Sequence, residues 1–87
     1  MRVGLIGAGR IGAFHGQTLA DHPDVTAVIV TDPLLERAET VARDIGAGVA
    51  PDAEAMIDHV DAMVVAAATG VHADMMLLAA ASGIPVF

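Results

Sequence analysis

Gly7-Ala8-Gly9-Arg10-Ile11-Gly12 follows a short apolar run, Arg2 to Ile6, and opens a helically patterned stretch, Arg10 to Asp21. No other feature of the chain restricts its fold as much. Between a strand and a helix, the first glycine permits a tight turn and the second lets the backbone approach a bulky group without a Cβ in the way. The third lets helix and strand pack closely. A Gly-rich turn of no special function also matches so loose a pattern, and the strand-to-helix setting is what argues against that alternative.

The rest of the chain continues the alternation of β-rich runs and helical patterns, which predicts a parallel sheet wrapped by helices. Val25 to Thr31 reads as a second strand, almost continuously apolar and therefore suited to burial on both faces. In the next stretch Leu34, Leu35, Ala38, Val41, Ala42 and Ile45 form a helical stripe, with Gly46 placed to cap its end. A short strand follows at Gly48 to Ala50, then a brief helix from Asp52 to His59 begun by Pro51 or Asp52. Asp61 to Ala68 reads as a buried strand, Val71 to Ser82 as a helix stopped at Gly83, and Ile84 to Phe87 as a last strand. The fold class expected is α/β, a Rossmann-type doubly wound parallel sheet truncated after about five strands.

Composition narrows the chemistry. The formal net charge is −7 and only four residues are basic, all of them arginine, so nucleic acid is not an expected partner. The absence of lysine excludes a Walker A loop and a Schiff-base lysine within these residues. The absence of cysteine excludes a thiolate metal site and a cysteine nucleophile. Mean hydropathy is high at +0.65, but the longest uncharged stretch, Met75 to Phe87, is broken by Gly83 and Pro85. It falls short of the roughly 20 apolar residues of a spanning helix, so no membrane partner is expected. Arg10 interrupts the first apolar run and no cleavage pattern follows, so no export sequence is read and the expected location is cytoplasmic.

An acidic chain can still hold an anion at the Gly-rich turn, because main-chain N–H groups and the helix dipole supply the positive potential. Gly7, Gly9, Arg10, Ile11 and Gly12 are therefore candidate contacts to the pyrophosphate of a dinucleotide. Asp32 ends the second strand 20 residues beyond Gly12, where an acid that accepts from the adenosine ribose hydroxyls is expected. Its negative charge would oppose a 2′-phosphate, and neither Pro33 nor Leu34 offers a cation. The cofactor predicted is NAD, with NADP less favoured and Arg37 the nearby residue that could rescue it. Asp32-Pro33 also suits the N-cap and first turn of the following helix, and the two roles are compatible. Arg10 stands in a first helical turn, where a bound phosphate would offset the dipole's unfavourable effect on a cation; a solvated arginine is the alternative. Ala66-Ala67-Ala68-Thr69-Gly70, at the exit of the fourth strand, should face the turn across the switch point of the sheet, which makes Ala68, Thr69 and Gly70 further candidates.

These motifs, with His15 and Leu19, Thr31-Asp32-Pro33, Val71-His72-Ala73-Asp74 and Gly83-Ile84-Pro85-Val86-Phe87, resemble the Gfo/Idh/MocA oxidoreductases over essentially the whole chain. The resemblance is strongest to members that act on inositol. It implies an N-terminal dinucleotide-binding domain over residues 1–87, with the C-terminal substrate domain absent. It also implies a larger enzyme that uses NAD(P) to oxidise a ring hydroxyl of a polyol or sugar. The family's catalytic lysine, in a Cys-Glu-Lys-Pro segment, would lie beyond Phe87, so no catalytic residue is assigned within the chain. The resemblance suggests a cofactor-side or structural hydrogen bond for His72. Ala67, Ala68 and Thr69 stand where the family often has Thr-Pro-Asn, so the match is carried by the adenosine and pyrophosphate side.

His15, His22, His59 and His72 show no metal-ligand spacing and no metal is assigned. His15 is expected to pack or hydrogen-bond locally, and Met56, Met63, Met75 and Met76 to fill core. A homo-oligomer is expected of a full-length enzyme. The alternatives are a non-catalytic NAD-sensing module, an amino-acid dehydrogenase, and an adenosylmethionine-dependent methyltransferase, which typically lacks the glycine at Gly12.

Overall fold

The computed structural model describes residues 1–66, 78 and 81–87. In chain order the elements are β1 (Arg2–Ile6), α1 (Arg10–Asp21), β2 (Ala27–Thr31), α2 (Leu35–Ile45), β3 (Gly48–Val49), α3 (Ala53–Ile57) and β4 (Ala62–Val65). The strands form one parallel sheet in the order β3-β2-β1-β4. Val86 makes a parallel bridge to Met63, so the chain around Ile84 to Phe87 lies along the outer edge of β4, where a fifth strand is expected. The chain steps outward from β1 through β2 to β3 and then returns to the other side of β1. The switch point therefore falls between the carboxyl ends of β1 and β4, where open α/β sheets bind ligands.

The period of the strands sorts the core onto two faces. Leu5, Val28 and Val30 meet Ala38, Val41 and Ala42 of α2 on one face. Ile6 and Met63 meet Ala53, Met56 and Ile57 of α3 on the other. Met56 and Met63 are fully buried, as gap-filling thioethers should be. At roughly 1.5–3 kcal/mol for each large side chain removed from water, these two clusters are what holds β1 and β2 at the centre of the sheet.

Several boundaries differ from expectation for local reasons. β2 begins at Ala27, not Val25, because Val25 donates to the carbonyl of His22 in a turn and Thr26 donates to Met1. β3 is only two residues long. α3 stops at Ile57 instead of His59, with the His59 amide bound back to Met56 in a tight final turn. α2 ends on Gly46 in the left-handed conformation, φ 71°, as its cap residue predicts. It starts at Leu35 with Leu34 as N-cap and no side-chain cap bond, so the expected pairing of Asp32 as N-cap and Pro33 as first helical residue is not what forms. β4 is described to Val65, with Ala66 donating to the carbonyl of Ile6. Most of the expected strand exit and of the helix from Val71 to Ser82 lies outside the described residues.

Candidate functional site

The Gly-rich turn is built by the fold. Gly7 donates to the carbonyl of Thr31 at 2.9 Å, which ties the end of β1 to the end of β2. Gly7 has φ 105°, a conformation that side chains with a Cβ rarely adopt. A Cβ on Gly12 would lie 2.7 Å from the carbonyl carbon of Gly7 and closer still to its oxygen, so only glycine lets α1 start against the turn. Gly9 is different. Its φ is −73°, an ordinary value, and among the described residues a Cβ built on it meets nothing within 4 Å. Among the described residues, no steric contact requires glycine at that position.

Gly9 is also the N-cap of α1, which has no side-chain cap and no acidic residue in its first turn. The first bond of the helix runs from Ala13 to the carbonyl of Gly9. The amides of Gly9, Arg10, Ile11 and Gly12 therefore have no intrahelical partner, and with the positive end of the dipole they form a cradle at the start of the helix that no Cβ of Gly9 narrows. An anion fits that cradle, and a diphosphate brings enough acceptor oxygens for several of these donors.

Asp32 borders the cradle and is buried, with 8% of its surface exposed. One carboxylate oxygen accepts from the Ala8 amide at 2.8 Å and the other from the Leu34 amide at 2.8 Å. A carboxylate has about four acceptor positions, so two remain for the hydroxyls of a ribose. Gly7, Gly9, Arg10, Ile11, Gly12 and Asp32 are thus brought together. Ile11, the second residue of α1, is 66% exposed. Ala68, Thr69, Gly70 and His72 lie outside the described residues. His15 is exposed on α1, its ring edge-on to Phe14 at 5.8 Å.

Two hollows flank these groups. One, of about 140 Å³, is bounded by Ile6, Thr31, Asp32 and Pro33 and by Pro51, Asp52 and Ala53 at the start of α3. Sequence reasoning read the Pro51-Asp52 pair only as a helix start. Its neighbourhood follows from β3 lying beside β2, which opens the two following loops side by side. The other, of about 380 Å³, runs between α1 and α2 and includes Arg10, Glu36, Arg37 and Asp44. Arg10 thus joins Arg37 in this groove, which Glu36 and Asp44 also line.

Comparison with known proteins gives these features a setting. The family model for Gfo/Idh/MocA, an oxidoreductase family with an NAD-binding Rossmann fold, matches residues 1–87. An inositol 2-dehydrogenase from Acidothermus cellulolyticus is 47% identical over 74 residues, which is 78% of this chain and 21% of that protein. The structure of a UDP-N-acetylglucosamine 3-dehydrogenase from Acidithiobacillus ferrooxidans superposes with a TM-score of 0.86 at 31% identity, covering 99% of this chain and 28% of that one. GenD2 from gentamicin A biosynthesis, solved in complex with NAD, superposes with a TM-score of 0.92 at 26% identity, covering 99% of this chain and 25% of its own. The chain spans about a fifth of the length of the curated relatives it matches. Matched along its whole length, this chain belongs to the Gfo/Idh/MocA oxidoreductase family through that family's NAD-binding Rossmann fold.

Proposed function

We propose that the chain holds NAD, in preference to NADP, as the cofactor-binding part of a dehydrogenase that acts on a CH–OH group of a polyol or sugar. The observation that carries this reading is the bare N-terminus of α1, where Gly9 places no Cβ beside four amides that have no partner among the described residues. The diphosphate lies against the amides of Gly9 to Gly12. The two free acceptor positions of Asp32 take the adenosine ribose hydroxyls, and the hollow beside Asp32 receives the adenine. Ile11, exposed in the first turn of α1, covers the cofactor on the nicotinamide side, and Ala68, Thr69, Gly70 and His72 are proposed to contact it as well. When bound, the nicotinamide supplies the hydride acceptor for oxidation of the alcohol. Groups that bind the alcohol and take its proton are assigned to polypeptide outside these 87 residues. The relatives' names support the substrate class, one being an inositol and the other a UDP-sugar dehydrogenase.

The preference for NAD rests on charge. A 2′-phosphate would meet the Asp32 carboxylate at hydrogen-bond range, and like charges that close oppose each other strongly. The groove holding Arg10 and Arg37 offers little relief, because Glu36 and Asp44 share it. Calorimetric titration with NAD, NADP and adenosylmethionine tests the proposal. NAD should bind, NADP should bind at least about tenfold more weakly, and adenosylmethionine should not compete. Equal affinity for NAD and NADP would remove Asp32 from its ribose role, and a preference for adenosylmethionine would overturn the dehydrogenase assignment.

A further inference from the structure

We propose that Asp32 is a positioning residue for the diphosphate as well as a ribose contact: its carboxylate locks the peptide between Gly7 and Ala8 in the one orientation that presents the amides of α1. This deepens the dinucleotide reading and rests on it. The Ala8 amide donates to Asp32 across 24 residues of sequence, in surroundings closed to water. Ala8 itself is buried, so its amide has no solvent partner to fall back on.

The geometry of one peptide unit makes the lock effective. In a trans peptide the N–H and the preceding C=O point in opposite directions. Here the N–H of Ala8 points to Asp32, and the C=O of the same unit, on Gly7, points at Gly12, where no Cβ could be tolerated. The unit is held at one end by a charged acceptor and given room at the other by a glycine. Gly7, at φ 105°, carries no steric preference that would hold the unit by itself. The other Asp32 oxygen, bound to Leu34, fixes the carboxylate in turn. A neutral amide at this position cannot reproduce the arrangement, because it has a single acceptor oxygen and places an N–H₂ group against one of the two backbone donors.

Binding of ADP and 2′,3′-dideoxy-ADP to the protein and to its Asp32→Asn variant separates positioning from ribose contact. The dideoxy ligand lacks the hydroxyls, so Asp32 can influence it only by charge or by shaping the turn. Charge alone predicts tighter binding of this anion when the carboxylate is removed. Positioning predicts the opposite, a loss of about tenfold, the size expected when an amide loses its charged acceptor. Unchanged or improved affinity of Asp32→Asn for dideoxy-ADP would overturn the proposal. Amide hydrogen exchange in the ligand-free protein gives an independent reading. The Ala8 amide should lose its protection in Asp32→Asn while the Ala50 amide, bound to Val30, keeps its own, and an Ala8 amide still protected would also overturn the lock. Failure of unmodified protein to bind ADP at all would instead sink the dinucleotide reading, leaving the exchange result to decide the lock.

Discussion

The helices α1 and α3 begin in opposite ways. α3, five residues long, has Asp52 as N-cap accepting from the Ala55 amide at 2.7 Å, and Glu54 in its first turn. α1, twelve residues long, begins on a glycine with no side-chain bond, and its first turn holds Arg10 and no acid. A capping side chain stabilises a helix by about 1 kcal/mol, so the longer helix forgoes a stabilisation that the shorter one takes. The difference teaches where the molecule expects its counter-charge. α3 carries its own, and α1 carries none, the place the proposed dinucleotide would fill.

The comparison can be broken at its base by Gly12→Ala, which should cost about 3 kcal/mol or more in chemical denaturation, since the added methyl overlaps the Gly7 carbonyl. A cost under about 1 kcal/mol would mean the turn is looser than the structure shows. Gly9→Asp makes α1 begin as α3 does. It should weaken NAD binding by about a hundredfold or more through like-charge repulsion, while the ligand-free protein gains about 1 kcal/mol in thermal unfolding. Unchanged affinity there would show that the bare amides face no anion. Gly9→Ala is milder: stability within about 1 kcal/mol of the parent, and NAD affinity down by about tenfold as the methyl fills the cradle. Smallest is Asp52→Ala, which should lose about 1 kcal/mol of stability with its cap; no loss would undo the contrast from the α3 side.

Much of this was legible in the sequence because it depends on local rules. The glycine spacing, the strand before it and the helix after it placed the turn, and Gly46 ended α2 where its conformational freedom predicts. The position of Asp32 twenty residues beyond Gly12 brought it to the site. What could not be read were features set by contacts between distant segments. That one Asp32 oxygen accepts from the Ala8 amide depends on β1 and β2 being adjacent and in a particular register; the other makes a local bond to Leu34 two residues on, while α2 itself starts one residue later with Leu34 as its N-cap. The short β3 and the hollow at Pro51 to Ala53 depend likewise on sheet order. Arg10 and Arg37 share a groove only because α1 and α2 pack on the same face.

The claim on which the account turns is that the first-turn amides of α1 receive the diphosphate of a dinucleotide. A crystal structure of the protein with NAD tests it most directly. The account predicts diphosphate oxygens within hydrogen-bond distance of the Arg10, Ile11 or Gly12 amides, with the adenosine ribose on Asp32. A diphosphate seated elsewhere, for example in the hollow of about 270 Å³ near Met1, Val3 and Leu19 at the opposite ends of the strands, would contradict it.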